Sequence, residues 1–182
     1  MIRIPLIFFS FVGYFISGAD WPQAAGPNGD FVVSTSHPLR VFSVAKNEKV
    51  RWRTKLPSTG QGTPVVSGGR IFVTSHQRIK EDTQTGSTIV GLCFDASTGK
   101  ELWRRKIPGT RTTDLSSLFS DNTAASPVTD DKRVVFCNVG GTVKCFNYQG
   151  DELWSHTWTP FGRHHARAHE PIIHEGKVIL MH

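Results

Sequence analysis

Cysteine is scarce: Cys93, Cys137 and Cys145 are the three in 182 residues, no two are adjacent, and no pair has zinc-ligand spacing. That number is too small for a disulfide framework, even in an oxidising compartment; one pair could form with one thiol left over. There is no HExxH segment, no glycine-rich phosphate loop and no serine nucleophile motif, so metalloprotease, kinase and serine-hydrolase chemistry have no positive support. Acidic residues do not form a separated catalytic pair, and no catalytic residue is assigned. The formal charge is +6, but Lys and Arg stand singly or in short groups such as Arg104-Arg105-Lys106 among acids. Without a basic helix or long basic run, most of that charge reads as solvated surface, and nucleic acid is not expected as a partner.

The first residues are of another kind. After Arg3 comes an apolar stretch from Ile4 to Ile16, too short to span a bilayer comfortably, then Ser17-Gly18-Ala19 with small residues at the −3 and −1 positions. This predicts a cleaved secretory signal over 1–19, a mature chain from Asp20, and a periplasmic or extracellular location. An uncleaved anchor is the alternative, although no stop-transfer pattern or basic flank follows. No cysteine sits at the cleavage point, so a lipid anchor is not expected, nor is a stable transmembrane span once the signal is removed.

Beyond a short N-terminal segment, 20–30, the chain repeats. Trp103 closes Thr98-Gly99-Lys100-Glu101-Leu102-Trp103 and Trp154 closes Gln149-Gly150-Asp151-Glu152-Leu153-Trp154, a spacing of 51; the same step back from Trp103 lands on Trp52. Thr63-Pro64-Val65, Ser126-Pro127-Val128 and Glu170-Pro171-Ile172 each lead through a Gly or Asp turn into a second β-rich run. Proline is tolerated at a strand's first residue and Gly or Asp supplies the turn, so each is a hairpin signal. Third strands follow at 89–95 and 142–147, then the strand that carries tryptophan. A four-stranded sheet this small cannot cover both of its faces and must stack on neighbours; radial stacking of such sheets makes a β-propeller. The tryptophans are read as packing between adjacent sheets.

Ser126-Pro127-Val128, Arg133-Val134-Val135-Phe136, Gly141-Thr142-Val143-Lys144-Cys145-Phe146-Asn147 and Gly150-Asp151-Glu152-Leu153-Trp154 together resemble the repeat of the pyrroloquinoline-quinone-like propeller family. The copy Leu92-Cys93-Phe94-Asp95-Ala96-Ser97-Thr98-Gly99-Lys100-Glu101-Leu102-Trp103 is the best match, and Trp21-Pro22-Gln23-Ala24-Ala25-Gly26-Pro27-Asn28-Gly29 is similar to the start of exported single-propeller members. The resemblance implies an all-β propeller of four-stranded antiparallel blades over 31–182, with units at roughly 31–56, 57–107, 120–160 and 170–182. That is about two full blades and two partial ones. Since the family implies about seven or eight blades, the chain is expected to be part of a larger ring, with bare apolar faces and poor solubility as an isolated piece.

Two segments depart from the repeat: 76–88, which lengthens a hairpin, and 108–125, which lengthens a connection. Long loops on a rigid scaffold are where binding residues concentrate; a solvated insertion without a partner is the other reading. His164, His165 and His169 could build a metal site if the loop over 161–170 folds back, although Arg163 and Arg167 would repel a cation. The family's dehydrogenases imply pyrroloquinoline quinone with calcium, a catalytic Asp and a pair of adjacent cysteines. No such pair stands here. Cys93 and Cys145 are equivalent repeat positions, explained by inward packing; Cys137 could meet Cys145 only if its hairpin has the right register. Asp95 and Asn147 are equivalent too and are assigned to turns, while Asp121 and Asn122 could join a cofactor site in a complete propeller. The leading expectation is a non-catalytic exported scaffold holding a protein or polymer on its loop face. Alternatives are a fragment of a quinone-dependent dehydrogenase and a metal-binding His loop.

Overall fold

A computed structural model describes residues 20–33, 39–78, 85–110, 121–160 and 170–181. The named elements are all β. Strands β1 (Val65–Ser67), β2 (Arg70–Arg78), β3 (Thr85–Asp95) and β4 (Glu101–Pro108) form one antiparallel sheet in chain order. Strands β5 (Val128–Thr129), β6 (Arg133–Asn138), β7 (Thr142–Asn147) and β8 (Glu152–Thr157) form a second of the same order, and β9 (Ile172–His174) and β10 (Lys177–Ile179) a hairpin. The expected 76–88 loop is in part strand. β2 continues to Arg78 and β3 starts at Thr85, with a register shift between His76 and Arg78, because ladder hydrogen bonding proceeds whatever side chains point outward. Over 39–56 there is no named strand; Ser43 and Glu48 form an isolated bridge.

The period of two along each strand explains how the sheets stack. Phe72, Ile89, Cys93, Trp103 and Ile107 of the first sheet pack against Val134, Phe136 and Phe146 of the second. The alternate residues of the second sheet, Val135, Val143 and Cys145, pack against Ile173, Val178 and Leu180. The other face of the first sheet, Ile71, Val73, Val90, Leu92 and Phe94, is met by Leu56. Strand β6 is therefore buried on both faces, and its sequence Arg133-Val134-Val135-Phe136-Cys137-Asn138 is accordingly apolar without alternation. Gly91 leaves room for Phe136, whose ring would lie 3.0 Å from any Cβ placed there.

Trp52 and Trp103 are each tied to the next unit. Trp52 Nε1 donates to Ala96 O and Trp103 Nε1 to Tyr148 O, both at 3.0 Å. Two residues on, Thr54 Oγ1 donates to Gly99 O (2.6 Å) and Arg105 Nε to Gly150 O (2.7 Å). Gly99 and Gly150 have positive φ, and a Cβ on either would come within 2.4 Å of Trp52 or 2.9 Å of Trp103, so glycine is required twice over. A β-bulge repeats as well: Cys93 pairs Trp103 while Phe94 pairs Glu101, and Cys145 pairs Trp154 while Phe146 pairs Glu152. Leu102 and Leu153 are thus the extra residues that re-aim the adjacent indole.

The two cysteines at equivalent positions, Cys93 and Cys145, face the next unit, as inward packing requires. Cys137 pairs with Val143 and Cys145 with Val135, so the two thiols are not cross-strand partners, and all three are free and buried. Burial pushes the Cys137 thiol up to about 12 and Cys145 to about 11, and raises Cys93.

Trp103 is 8% exposed and Trp154 36%. Trp103→Ala is expected to cost about 3–5 kcal/mol and Trp154→Ala less than about 1 kcal/mol, read by urea unfolding followed by circular dichroism; equal losses would contradict the docking role. The three thiols should react with a disulfide reagent at neutral pH only in denaturant, and labelling of the folded chain would contradict their burial.

Candidate functional site

Antiparallel order gives the sheets two unlike ends. At one, the turns at 68–69, 95–100, 130–132 and 147–151 are tight and closed on themselves. Asp95 Oδ1 accepts from Ser97 and Thr98, which with their hydroxyls hold its carboxyl down to about 2. Asn147 Oδ1 accepts from Gln149 N (3.0 Å) and Asp151 N (2.8 Å). Both are turn residues, as their repetition implied.

The other end carries the roots of both long segments, and hydrogen bonds knit them. Ser87 O accepts from Gly109 N (2.9 Å), Asn122 Nδ2 (3.2 Å) and Asn138 Nδ2 (2.7 Å). Thr110 N donates to Gly140 O, and its hydroxyl to Trp158 O (2.6 Å). Thr63 N donates to Ser126 Oγ (2.8 Å), and Ser126 N to Glu170 Oε2 (2.7 Å), so the residues before the three strand-opening prolines form a chain across three units.

At its centre lie His76, from the end of β2, and Asp121, from the connection. His76 is 1% exposed, with Nε2 3.0 Å from Asp121 Oδ2. The carboxylate lies off the axis of the ring N–H, so the contact is electrostatic more than a well-aligned hydrogen bond. Asp121 Oδ1 accepts from Thr123 N (2.7 Å) and the Thr123 hydroxyl; Asp121 N donates to Gln61 Oε1 (2.8 Å), and Gln61 N to Thr123 Oγ1 (2.9 Å). Burial by itself would push the Asp121 carboxyl up, but the contacts from His76 and Thr123 outweigh it and hold the group below its ordinary range. Among the described residues His76 Nδ1 and Thr74 Oγ1 have no hydrogen-bond partner, although both are buried, two residues apart on the face that Phe72 turns toward the second sheet. Unpaired buried polar atoms cost free energy, and their clustering marks this junction as more than core.

Asp121 and Asn122 are thus brought together with a histidine that the sequence reading passed over. The signal was there: with Arg70 matched to Arg133, Thr74 stands where the next unit has Cys137, and His76 where it has Val139. His164, His165 and His169 lie outside the described residues. Among the described residues no three His, Cys, Asp or Glu side chains converge on a metal position. The thiols are separately buried and both oxygens of Asp121 are engaged within the chain.

Stacked four-stranded antiparallel sheets, joined by a repeated indole contact, define a β-propeller of pyrroloquinoline-quinone-like repeats. The family model described as outer membrane protein assembly factor BamB matches residues 17–90 and 83–182, and the chain belongs to that family. Among solved structures it is similar to the crystal structure of BamB from Moraxella catarrhalis, at 19% identity and a TM-score of 0.38, covering 59% of this chain and 26% of that one. The match thus spans about a quarter of that protein's length. A search of curated proteins found no match.

Because the folded-state pKa of Asp121 is depressed, its contribution to stability is complete above the unfolded value near 4 and is lost as pH falls through the folded one. Asp121→Asn is expected to cost about 1–3 kcal/mol at neutral pH and to flatten the fall in melting temperature below about pH 4. An unchanged acid limb would show that Asp121 is not a contributor.

Proposed function

We propose that this chain is an exported, non-catalytic propeller scaffold that holds a protein partner on the end of the blades where segments 76–88 and 108–125 are rooted. The observation that carries the reading is the asymmetry of the two ends. Among the described residues, one has short turns whose side chains satisfy their own backbones; the other carries the roots of both long segments beside a buried polar junction built from His76, Asp121, Thr123 and Gln61. Rigid sheets that position irregular segments are the usual way a repeat protein presents a binding face.

The family's description as an assembly factor for outer membrane proteins supports a protein partner and a place outside the cytoplasm. The leader-like composition of 1–19 supports export independently. Among the described residues no helix is long and apolar enough to cross a membrane. A polymer partner would use the same face.

Photo-crosslinking residues placed at Thr110 and Gln77, on the loop end, should capture a protein in the exporting cell. The same residue at Lys132 or Gly69, on the turn end, should not. Capture from both ends alike, or from neither, would overturn the reading. Dye-linked alcohol oxidation by the chain after addition of pyrroloquinoline quinone and calcium would replace it with the dehydrogenase alternative. The N-terminal sequence of the exported protein should begin at Asp20.

A further inference from the structure

The two edges of each four-stranded sheet differ in composition. The last strands carry charge: Glu101, Arg104, Arg105 and Lys106 in β4, and Glu152 in β8. Charged side chains discourage an edge strand from pairing with another chain. The first strands, β1 with Val65-Val66-Ser67 and β5 with Val128-Thr129, have no charged residue, and each has a sheet neighbour on one side only.

Segment 20–31 covers both of these edges. Trp21 exchanges two backbone hydrogen bonds with Val66, its N donating at 2.8 Å and its O accepting at 2.9 Å. The next residue, Pro22, accepts from Thr129 N at 2.9 Å. Pro64 and Pro127 precede equivalent strands, and Val66 and Thr129 each stand two residues further on, so they too are equivalent. Consecutive residues of the segment thus take the same backbone group from consecutive units. Asp20 Oδ2 also accepts from Ser67 Oγ (3.3 Å) and Gly68 N (3.4 Å).

The segment is built so that it does not become a new edge. Pro22 has no N–H to offer. Beyond it the chain closes on itself: Gly26 N donates to Gln23 O (2.9 Å), Phe31 N to Ala25 O (2.8 Å), Trp21 Nε1 to Ala24 O (3.2 Å) and Gln23 Nε2 to Gly26 O (3.0 Å). Gly26 has positive φ, and a Cβ there would stand 2.9 Å from the Trp21 ring.

We infer that segment 20–31 is a strap that clasps the first strands of two successive units and denies their edges to strand addition by another chain. Covering an edge with a loop is one of the ways a sheet is kept from pairing with its neighbours in solution. The contacts with Ser67 and Gly68 set the strap beside the turn end, so it does not depend on the partner proposed for the loop end.

Amide hydrogen exchange of the exported chain tests it, with Gly26→Val and Trp21→Ala each made to unseat the strap. Exchange at Val66 and Thr129 should quicken by about tenfold, the scale of one lost backbone hydrogen bond. Amides of the interior strands β3 and β7 should keep their rates. Both variants should also self-associate with a rise in thioflavin T fluorescence. The parent chain should not, nor should Asn28→Ser, at an exposed position of the same segment. Unchanged exchange at Val66 and Thr129 in both variants would overturn the clasp. Acceleration spread equally over β3 and β7 would overturn it as well, since the segment would then act on folding as a whole. Faster exchange at those two amides without self-association would overturn the guarding of the edges.

Discussion

The contact on which the architecture depends is an indole laid over a glycine turn of the following unit. Trp52 and Trp103 each give their ring N–H to a carbonyl of that turn, and each fills the space that a Cβ on Gly99 or Gly150 would need. The bond ties successive sheets at a distance of 44 or 45 residues along the chain. Since a small antiparallel sheet cannot stand alone, this link between units is what turns local hairpins into a cooperative stack. The repeated bulges at Leu102 and Leu153 belong to the same device, because they set the angle at which each indole leaves its strand.

Fixing the sheets in this way decides where chemistry can gather. Alternation sends one set of side chains to the preceding unit and the other to the following one, so the faces are committed to packing. What remains free to vary is the ends. At the turn end, Asp95 and Asn147 are consumed by their own backbones. At the loop end, three stretches of chain arrive together: Gln61, Asp121 and Thr123 hydrogen-bond one another across units, and His76 lies against the Asp121 carboxylate. A carboxylate held ionised beside a buried imidazole fixes the mutual position of two segments that the sequence separates by more than forty residues.

The repeat was legible because it is carried by residues with few substitutes. Tryptophan, the turn glycines and the strand-opening prolines recur at fixed steps, and the family match over 17–90 and 83–182 agrees with the resemblance read from them. The extension of β2 and β3 into the 76–88 segment was not legible, since ladder bonds are made by backbone and leave no mark in a run such as His76-Gln77-Arg78. Nor was the His76–Asp121 contact. Its partners are brought together by the stacking of sheets, and the only trace along the chain is the polar pair Thr74 and His76 standing where the next unit is apolar.

The outer edge carries a different kind of information from the loop end. At the loop end Gln61, Asp121 and Thr123 hydrogen-bond one another inside the chain, around a buried His76. The 39–55 segment has the reverse character: its cations are exposed, and Val41 and Phe42 are exposed beside them, although one step of the repeat carries these two onto Leu92 and Cys93, which are buried in the next unit. Because Trp52 and Thr54 anchor the basic run to the same sheet that supplies His76, the two surfaces are held in a fixed geometric relation by the indole contact itself.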